Sequence, residues 1–545
     1  MTANKNILFP KLNESQISEI EKIAELKSFQ DGDIIYHTGQ KNFSCYVVKQ
    51  GKIDIVNQSD GEAKLVTTAS AGQFTGDVNL LTGSPSVIDA VAVGDCQVLE
   101  IEQQDFRQLI QENSPLSDLF VQAFIARKKR LDELPGFTGL RVIGSRYSAD
   151  TLRIRNFLTK NRVWFTWIDL ENDPEIDSLL GHLSIAVEDT PVVTNGDLWL
   201  LKNPTNDKLA ELLGIKTPLK DTVYDLAIVG AGPAGLAAAV YGASEGLNTV
   251  VLEKTATGGQ AGSSSKIENY MGFPTGISGT ELANRAYIQA KKFGVQFSIP
   301  QEVVGIESNN SYHQLQLKSG EEVIARAVLI ATGVEYRKLD IEGYDRFEGQ
   351  GIYYSATTVE AQLCRQSQVI VVGGGNSAGQ AAIFLSETAN KVLLLIRGDD
   401  LTKSMSKYLV QRIEKKDNIE LLTHTELSKM MGDRVLDSVE LIHNQTQQTT
   451  TVDAVGVFIF IGAKPYTEWL TNEIDLDEDG FIKTGTQVAQ SPNWQARRQP
   501  FLLETSRIGV FAAGDVRSDS IKRVASGVGE GSMTVKLVHQ LLAMS

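Results

Sequence analysis

"YDLAIVGAGPAGLAAAVYGASEGLNTVVLEK", residues 224–254, combines an apolar strand pattern, a glycine turn, an Ala-rich helix pattern and a second strand that ends at Glu253. Each glycine of the turn has a separate physical role. Gly230 allows a tight turn, Gly232 lets the backbone approach a pyrophosphate, and Gly235 allows close packing of the helix on the strand. Glu253 is placed to accept hydrogen bonds from a ribose. The stretch predicts a Rossmann-like α/β domain with a dinucleotide site.

A second stretch repeats the pattern with a different ending. Residues 367–401, "SQVIVVGGGNSAGQAAIFLSETANKVLLLIRGDDL", place Gly373, Gly375 and Ala378 at the turn. Arg397 stands where the first stretch has its acid. An arginine there suits the 2′-phosphate of NADP better than the free diol of NAD. The two loops together predict FAD followed by NADPH, with NADH as the less favoured donor, and hydride transfer from nicotinamide to flavin.

Composition and charge exclude several classes of function. The chain has 545 residues, is 42% hydrophobic and 22% charged, and has no apolar run as long as a membrane span requires. Its net charge of −15 disfavours nucleic acid and anionic membranes as partners. The N-terminal residues lack the pattern of a secretory signal, so we expect a cytoplasmic protein.

The cysteines exclude local redox and zinc motifs. Cys45, Cys96 and Cys364 are the only cysteines, they are widely separated, and no C-x-x-C spacing occurs. The histidines are scattered without ligand spacing. No metal site is expected.

The order of strand and helix patterns predicts a multidomain chain. Residues 1–135 indicate an antiparallel β-barrel with flanking helices, and residues 136–216 a small α/β domain. Residues 223–340 and 463–545 are expected to form the FAD-binding domain, and residues 341–462 the NAD(P)-binding domain.

Residues 223–545 resemble the low-molecular-weight thioredoxin reductases. The resemblance is carried by "TGGQAGSSSKIENYMGFP", "LIATGVEYRKLDIEG" and "IGVFAAGDVRSDSIKRVASGVGEGSMTV". It implies a flavin-ring segment, a hinge between the domains, a ribityl contact and a pyrimidine-edge contact. These roles fall on Gly258, Gly259, Gln260 and Asn269, on Thr332 and Gly333, on Asp515, and on Arg523, Val524 and Ala525, respectively.

The redox motif of that family is absent. The resemblance places its C-A-T-C dithiol at "SATT", so Ser355 and Thr358 occupy the cysteine positions, and Val359 replaces the acid that normally follows. A hydroxyl cannot replace a thiolate nucleophile in disulfide exchange. The expected activity is therefore an FAD-dependent NAD(P)H oxidoreductase that passes electrons directly from flavin to an acceptor, and its catalytic residues stay unassigned.

Two alternatives remain open at this point. Thioredoxin-disulfide reductase activity could use other thiols, such as Cys45 and Cys96 meeting across adjacent strands, or a mixed disulfide at Cys364. The chain could instead be a flavin-based redox sensor or scaffold. The acceptor is expected to be a small molecule or a redox protein, and the family resemblance implies a homodimer.

The two N-terminal domains resemble other families. Residues 72–92, "GQFTGDVNLLTGSPSVIDAVA", are similar to the phosphate-binding cassette of cyclic-nucleotide-binding domains, with Asp77 and Ser86 in place of its glutamate and arginine. No arginine precedes Arg107, so the barrel is not expected to bind a cyclic phosphate. The second domain resembles a thioredoxin-like fold, with Thr190-Pro191 at the place of its cis-proline and no cysteine in "GSRYSADT".

Overall fold

The structure is a computed structural model that describes most of the chain. The described residues are 5–57, 64–132, 140–171, 180, 185–195, 199–264, 267, 269–309, 312–347, 351–354, 356, 358–433, 435–470 and 474–544. They divide into two compact units. The first comprises Met1–Ser145, Phe157–Lys220 and Tyr287–Pro300, and the second comprises Arg146–Asn156, Asp221–Ala286 and Gln301–Ser545.

The N-terminal region is an antiparallel β-sheet with helices around it. Its strands pair in the order β1-β5-β3-β4, and β2 also pairs with β5. Alternating burial along the strands directs one face into a core rich in aromatic rings, including Phe74, Phe106, Phe120 and Phe124. The strands are β1 Glu25–Phe29, β2 Ile34–Tyr36, β3 Cys45–Asn57, β4 Lys64–Ser70 and β5 Asp89–Ile101. The helices are α1 Lys5–Leu8, α2 Glu14–Glu21, α3 Val78–Thr82, α4 Gln103–Glu112 and α5 Ser114–Asp132.

A small four-stranded sheet follows. Its order is β7-β6-β8-β9, in which β6 and β7 are parallel and β8 is antiparallel to both β6 and β9. The peptide bond between Thr190 and Pro191 is cis. The helix that the sequence predicts over "PEIDSLLGHL" lies outside the described residues except for Leu180. The elements are β6 Leu140–Gly144, α6 Ala149–Lys160, β7 Thr166–Asp169, β8 Val192–Asn195, β9 Leu200–Lys202 and α7 Asn206–Leu212.

The second unit contains a mixed sheet at the chain's first glycine turn. Strands β11, β10, β15 and β26 are parallel, and β13, β14 and β15 form an antiparallel meander. Helix α14 crosses helix α8 so closely that a Cβ on Gly531 would overlap the carbonyl oxygen of Ala234. The elements of this part of the chain are β10 Tyr224–Val229, α8 Pro233–Ser244, β11 Thr249–Leu252, α9 Gly279–Lys292, β12 Gln296–Ser298, β13 Val303–Ser308, β14 His313–Leu317, β15 Glu322–Ile330, β26 Val510–Ala512 and α14 Val524–Leu542. Strand β12 and the end of α9 from Tyr287 onward belong to the first unit.

A parallel sheet of order β17-β24-β18-β19-β20 surrounds the second glycine turn. Strands β21, β22 and β23 form a separate antiparallel sheet, and β16 pairs with β25 as a two-stranded ribbon. The elements are β16 Val334–Tyr336, α10 Tyr344–Phe347, β17 Ile352–Tyr353, α11 Thr358–Leu363, β18 Gln368–Val372, α12 Asn376–Leu385, β19 Lys391–Leu395, α13 Lys407–Ile413, β20 Ile419–Leu422, β21 Thr425–Met431, β22 Ser438–His443, β23 Thr449–Asp453, β24 Gly456–Ile459 and β25 Ala463–Pro465.

Two classes of site do not occur in the part of the chain that the structure describes. No helix there combines the length and the apolar character needed to cross a membrane. No group of three His, Cys, Asp or Glu side chains there is placed to hold a metal ion.

Candidate dinucleotide sites

The first glycine turn joins strand β10 to helix α8. A Cβ on Gly230, whose φ is +104°, would overlap the carbonyl oxygen of Ala331. A Cβ on Gly235 would overlap the carbonyl oxygen of Gly230, because the helix packs directly on the turn. The backbone of the protein itself therefore excludes a side chain at both positions.

Gly232 differs from these two glycines because the space where its Cβ would lie is not filled by protein atoms. A Cβ there would meet only the Cα atom of Gly259, at 4.0 Å, and its φ of −73° suits any residue. Gly232 is the N-cap of α8, and it supplies no side-chain hydrogen bond to the first turn of that helix. An uncapped helix N-terminus behind an open glycine is a suitable cradle for a pyrophosphate.

Glu253 lies at the end of β11, beside the same turn. Its Oε2 accepts a hydrogen bond from the backbone N–H of Ala231 at 2.7 Å, and its Oε1 accepts one from Thr255 at 2.8 Å. The carboxylate therefore fastens the glycine turn to the loop after β11. A ribose contact for this residue stays a prediction.

The loop at 258–260 closes over the turn. The N–H of Gly258 donates to the carbonyl oxygen of Ala231 at 2.7 Å. The side-chain amide of Gln260 donates to the carbonyl oxygen of Val334 at 2.8 Å, which ties this loop to the start of β16. Asn269 is exposed, and the described contacts do not join it to the turn.

Thr332 and Gly333 lie directly after strand β15, where the chain leaves the mixed sheet of the first glycine turn. The Thr332 hydroxyl donates to the carbonyl oxygen of Tyr466 at 3.1 Å, and the Tyr466 N–H donates to the carbonyl oxygen of Gly333 at 3.4 Å. The segment that follows β15 and the segment that contains Tyr466 are thus hydrogen-bonded to each other. Tyr466 also donates through its hydroxyl to Glu302 at 2.6 Å, a contact that no sequence motif indicated.

Asp515 follows strand β26 and is half-buried. The preceding residue lies close to α8, since a Cβ on Gly514 would be 3.1 Å from the Cβ of Ala234. Burial raises the pKa of the Asp515 carboxyl; the Lys522 ammonium opposes this rise and the Glu530 carboxylate adds to it. Among the described residues, the Asp515 carboxylate has no hydrogen-bond partner.

Glu530 is a positioning residue that the sequence reasoning missed. From helix α14 it accepts the N–H of Gly514 at 2.7 Å and forms an ion pair with Arg517 at 2.5 Å. It therefore fixes the backbone directly before Asp515 and the side chain of Arg517 after it. The only signal for it in the sequence is a single acid among the glycines of "SGVGEGS".

The remaining predicted residues of this block lie at the start of α14. Arg523 is the N-cap of the helix, and it supplies no side-chain hydrogen bond to the first turn. Arg523 and Ala525 are exposed, and Val524 is half-buried. Their predicted contact with a flavin edge stays a prediction.

The residues around the first turn fit FAD. Gly232 leaves open the space that a Cβ would occupy, and the Asp515 carboxylate has no internal partner. A pyrophosphate needs such an uncapped helix end, and a ribityl hydroxyl can donate to such a carboxylate.

The second turn has the same construction. A Cβ on Gly373 would overlap the carbonyl oxygen of Phe460, whereas a Cβ on Gly375 would meet nothing within 4 Å. Gly375 is the N-cap of α12 and supplies no side-chain hydrogen bond, and Ala378 is fully buried one turn into that helix. This turn also fits a dinucleotide.

Arg397 is exposed after the end of β19. Its guanidinium has no ion pair among the described residues, whereas the next basic residue, Lys403, pairs with Asp399 at 2.8 Å. Arg397 is therefore available to a phosphate, and Lys403 is already neutralised.

The three thiols are buried inside the protein. Burial raises the pKa of Cys45 and the pKa of Cys364 to about 12. Cys96 is also buried, and its thiol donates to the carbonyl oxygen of Lys52 at 2.8 Å. Thiolate chemistry is therefore disfavoured at Cys45 and Cys364, and Cys96 is shielded from solvent.

The proposed meeting of Cys45 and Cys96 across adjacent strands does not occur. In the ladder of β3 with β5, Cys45 lies opposite Ile101, and Cys96 lies opposite Phe29 of β1. Five residues of strand β5 separate the two levels, or about 16 Å at 3.3 Å per residue. A disulfide needs Cα atoms within about 7 Å.

The two positions at which the sequence resemblance places the family's dithiol are only partly described. Ser355 lies outside the described residues, and Thr358 begins helix α11.

The barrel uses its cassette in an unexpected way. Arg127, from helix α5, donates to the carbonyl oxygens of Phe74 at 3.0 Å, Gly76 at 2.7 Å and Leu8 at 2.9 Å. Its guanidinium also lies 4.6 Å from the centre of the Phe74 ring. No sequence pattern indicates this contact, because Arg127 follows the cassette by two helices. Here the cassette backbone binds a cation of its own chain.

The two substituted positions of the cassette make internal hydrogen bonds. Asp77 accepts the N–H of Asn79 at 2.7 Å as the N-cap of α3, and the Ser86 hydroxyl donates to the carbonyl oxygen of Ile88 at 2.7 Å. Neither side chain offers a positive charge to a phosphate.

Replacement of Arg127 tests this account of the cassette. Arg127→Met should lower the free energy of unfolding by about 2–4 kcal/mol, because three buried carbonyls lose a charged donor. Arg130→Met, on the exposed side of the same helix, should change it by less than about 0.5 kcal/mol. Denaturant unfolding measures both, and equal effects would contradict the assignment.

Comparisons with known proteins agree with this geometry. Residues 224–531 match the family model described as pyridine nucleotide-disulphide oxidoreductase, and residues 26–113 match that of the cyclic nucleotide-binding domain.

Relatives and solved structures extend the comparison. The chain is 32% identical over 321 residues to a thioredoxin reductase of Bacillus subtilis, covering 59% of this chain and 95% of that protein. It is 35% identical over 313 residues to one of Treponema pallidum, covering 57% and 95%, respectively. The crystal structure of the Lactococcus lactis thioredoxin reductase in its FR conformation superposes with a TM-score of 0.53 at 29% identity, covering 59% of this chain and all of that one.

Proposed function

Because the chain belongs to the pyridine nucleotide-disulphide oxidoreductase family, we propose that it is an FAD-dependent oxidoreductase that takes reducing equivalents from NADPH and delivers them from flavin directly to an acceptor. The family implies a flavin and a nicotinamide nucleotide. When bound, the flavin supplies two-electron chemistry between nicotinamide and acceptor. The choice of NADPH, the acceptor and the dithiol-free route are the proposed parts.

Each proposed role rests on a named feature of the chain. The open N-caps Gly232 and Gly375 would each hold a pyrophosphate. Asp515, held in place through Glu530, would accept a hydrogen bond from the ribityl chain. Arg397 would bind the 2′-phosphate of NADPH. The three thiols are free and buried, so none of them is placed for exchange with an external disulfide.

The burial of all three thiols is the observation that carries the dithiol-free route. A thiol with a raised pKa is a poor nucleophile at neutral pH, and no second cysteine is paired with any of the three. With Ser355 and Thr358 in the family's cysteine positions, the flavin itself is left as the donor to the acceptor.

We further infer that the acceptor is a small molecule rather than an external protein disulfide. Leu152 belongs to the buried cluster that also contains Tyr353, Ala356 and Cys364, so the segment 146–156 of this chain already packs against these three residues. Arg155 is buried in the same segment, with 4% of its surface exposed. A partner protein would have to displace these buried contacts to reach Tyr353 and Ala356.

The segment 146–156 belongs to a module that we propose to be thioredoxin-like and redox-inactive. Its sheet order β7-β6-β8-β9 and the cis bond before Pro191 support this proposal. We also propose four domains: a β-barrel domain at residues 1–135, the thioredoxin-like domain at 136–216, the FAD-binding domain at 223–340 and 463–545, and the NAD(P)-binding domain at 341–462. We propose further that the protein is a cytoplasmic homodimer.

Simultaneous replacement of the cysteines tests the route. The variant Cys45→Ala, Cys96→Ala, Cys364→Ala should keep its NADPH-dependent reduction of ferricyanide or a soluble quinone within about twofold, since buried thiols do not exchange. Each rate is normalised to bound flavin, so that partial unfolding is not mistaken for lost chemistry. Oxidised thioredoxin should be a poor acceptor for both proteins.

Two results would contradict the proposed route. Loss of acceptor reduction with flavin content intact would show that a thiol carries electrons. A flavin that binds tightly but is not bleached by anaerobic NADPH would favour a redox sensor instead.

A further inference from the structure

Lys291 is a buried cation without an anionic partner. It lies in the last turn of helix α9, and only 8% of its surface is exposed. Its ammonium lies 5.9 Å from the centre of the Tyr287 ring and 5.5 Å from that of Phe297. Within the described parts of the chain it has no hydrogen bond or ion pair. The contacts of Lys291 are therefore aromatic, and its charge is not neutralised.

Arg107 of helix α4 is a second cation in the same place. Its Nη2 donates to the carbonyl oxygen of Leu81 at 3.3 Å, and its buried Nε has no hydrogen-bond partner. One turn further along α4, the Gln111 side chain donates to the carbonyl oxygen of Lys292 at 3.1 Å. This face of α4 therefore packs against the end of α9 that carries Lys291.

The charge of Arg107 disfavours the charged form of Lys291. Burial, reinforced by the charge of Arg107, lowers the pKa of Lys291 to about 7. Burial also lowers the pKa of Arg107. Two desolvated positive groups without a carboxylate are unfavourable, and buried charges in proteins are normally paired or hydrogen-bonded. The arrangement lacks an anion.

The surroundings of Arg107 can supply further hydrogen bonds to such an anion. Arg107 lines a depression whose other walls are mainly uncharged polar side chains, namely Asn42, Ser44, Gln103, Gln104, Gln108 and Gln111. Two carboxylates, Glu102 and Glu112, lie at the same depression, but both are exposed to solvent, and Glu112 is hydrogen-bonded to Gln108 at 2.9 Å. Solvent screens these exposed charges more than it screens the buried cations.

We propose that Arg107 and Lys291 form a binding site for a small oxyanion of the phosphate class, either free phosphate or the phosphate of a monoester. The arginine fork would make paired hydrogen bonds and the lysine would add a point charge. This site is separate from the barrel's cassette, whose carbonyls bind Arg127, and from both glycine turns. It would give the N-terminal region an anionic ligand other than a cyclic nucleotide bound at the cassette.

Titration of the FAD-loaded full-length protein tests this site. Inorganic phosphate and glycerol 3-phosphate are titrated separately in chloride buffer by calorimetry, which distinguishes a free anion from a monoester. Lys291→Met and Arg107→Gln should each weaken binding of the preferred probe by about tenfold or more, since each removes one of the two positive charges that would bind the anion. Lys292→Met makes the same charge change one residue away and should leave affinity within about twofold.

Thermal unfolding gives a second measurement, in which the variant that binds phosphate less tightly is expected to be the more stable protein. In phosphate-free buffer Lys291→Met should raise the melting temperature, because it removes an uncompensated buried charge while keeping the side-chain volume. In saturating phosphate the melting temperature of the wild-type protein should rise to at least that of Lys291→Met, because the bound anion stabilises the wild-type fold. The proposal is overturned if the wild-type protein shows no saturable binding of either probe, if all variants bind alike, or if Lys291→Met lowers the melting temperature equally in both buffers.

Discussion

Purified Gly232→Val protein is expected to be folded and colourless. The position has ordinary backbone angles and no protein atom close to a new Cβ, so the fold should tolerate the branched side chain. The same side chain would occupy the space in which a pyrophosphate approaches the start of α8. We expect FAD affinity to fall roughly a hundredfold, which corresponds to the loss of charged hydrogen bonds at the helix end. Flavin absorbance after purification and a thermal melt measure the two effects independently.

Two matched substitutions show whether the effect is specific. Gly230→Val should destabilise the protein itself, because its φ is +104° and the Cβ would overlap the Ala331 carbonyl oxygen. Gly529→Ala, on the exposed face of α14 with open space around it, should change neither colour nor stability. A yellow Gly232→Val protein with wild-type FAD content would contradict the placement of the cofactor, and with it the proposed enzyme.

Arg397→Ala should raise the KM for NADPH by about 10–100-fold and leave kcat within about twofold. The reason is that this guanidinium is exposed and available, and its bond to a 2′-phosphate forms equally in the ground state and the transition state. The KM for NADH should not change, because NADH has no phosphate at that position. Steady-state kinetics with both donors and a fixed concentration of ferricyanide measure the change.

Lys403→Ala is the control for this prediction. Lys403 is close in sequence, but its ammonium already pairs with Asp399 at 2.8 Å, so its loss should change the KM for NADPH by less than about threefold. If Arg397→Ala and Lys403→Ala behave alike, or if NADH is the better donor for the wild-type protein, the NADPH assignment fails.

The parts of the fold that could be predicted are those whose signal is local. A strand, a glycine turn and a helix within about thirty residues must form a dinucleotide-type turn, because the glycines fix the backbone path directly. The contacts of Gly230 and Gly373 with neighbouring carbonyls show why these positions carry glycine. The antiparallel character of the N-terminal sheet is likewise contained in short alternating runs.

The parts that could not be predicted depend on contacts between distant residues. Arg127 reaches the carbonyl oxygen of Leu8, which is 119 positions away in sequence, and no local pattern encodes that contact. Register decides the positions of Cys45 and Cys96, and alternation along a strand does not fix register. The roles of Glu530 and Tyr466 also depend on distant contacts. Glu530 acts through the packing of α14, and Tyr466 acts through its hydrogen bonds to Thr332 and Gly333, so sequence spacing indicates neither.

The long sequence separation between β15 and β26, and between α8 and α14, affects biosynthesis. Strand β26 adds to the sheet beside β15, and α14 packs on α8, yet the whole parallel sheet around β18 lies between these partners in sequence. During translation the sheet edge beside β15 stays open and α8 stays uncovered until residues 510–542 have been synthesised. The sheet around β18 has no such dependence and can fold first. A truncated transcript that stops before residue 510 would therefore yield an aggregation-prone polypeptide rather than a smaller working enzyme.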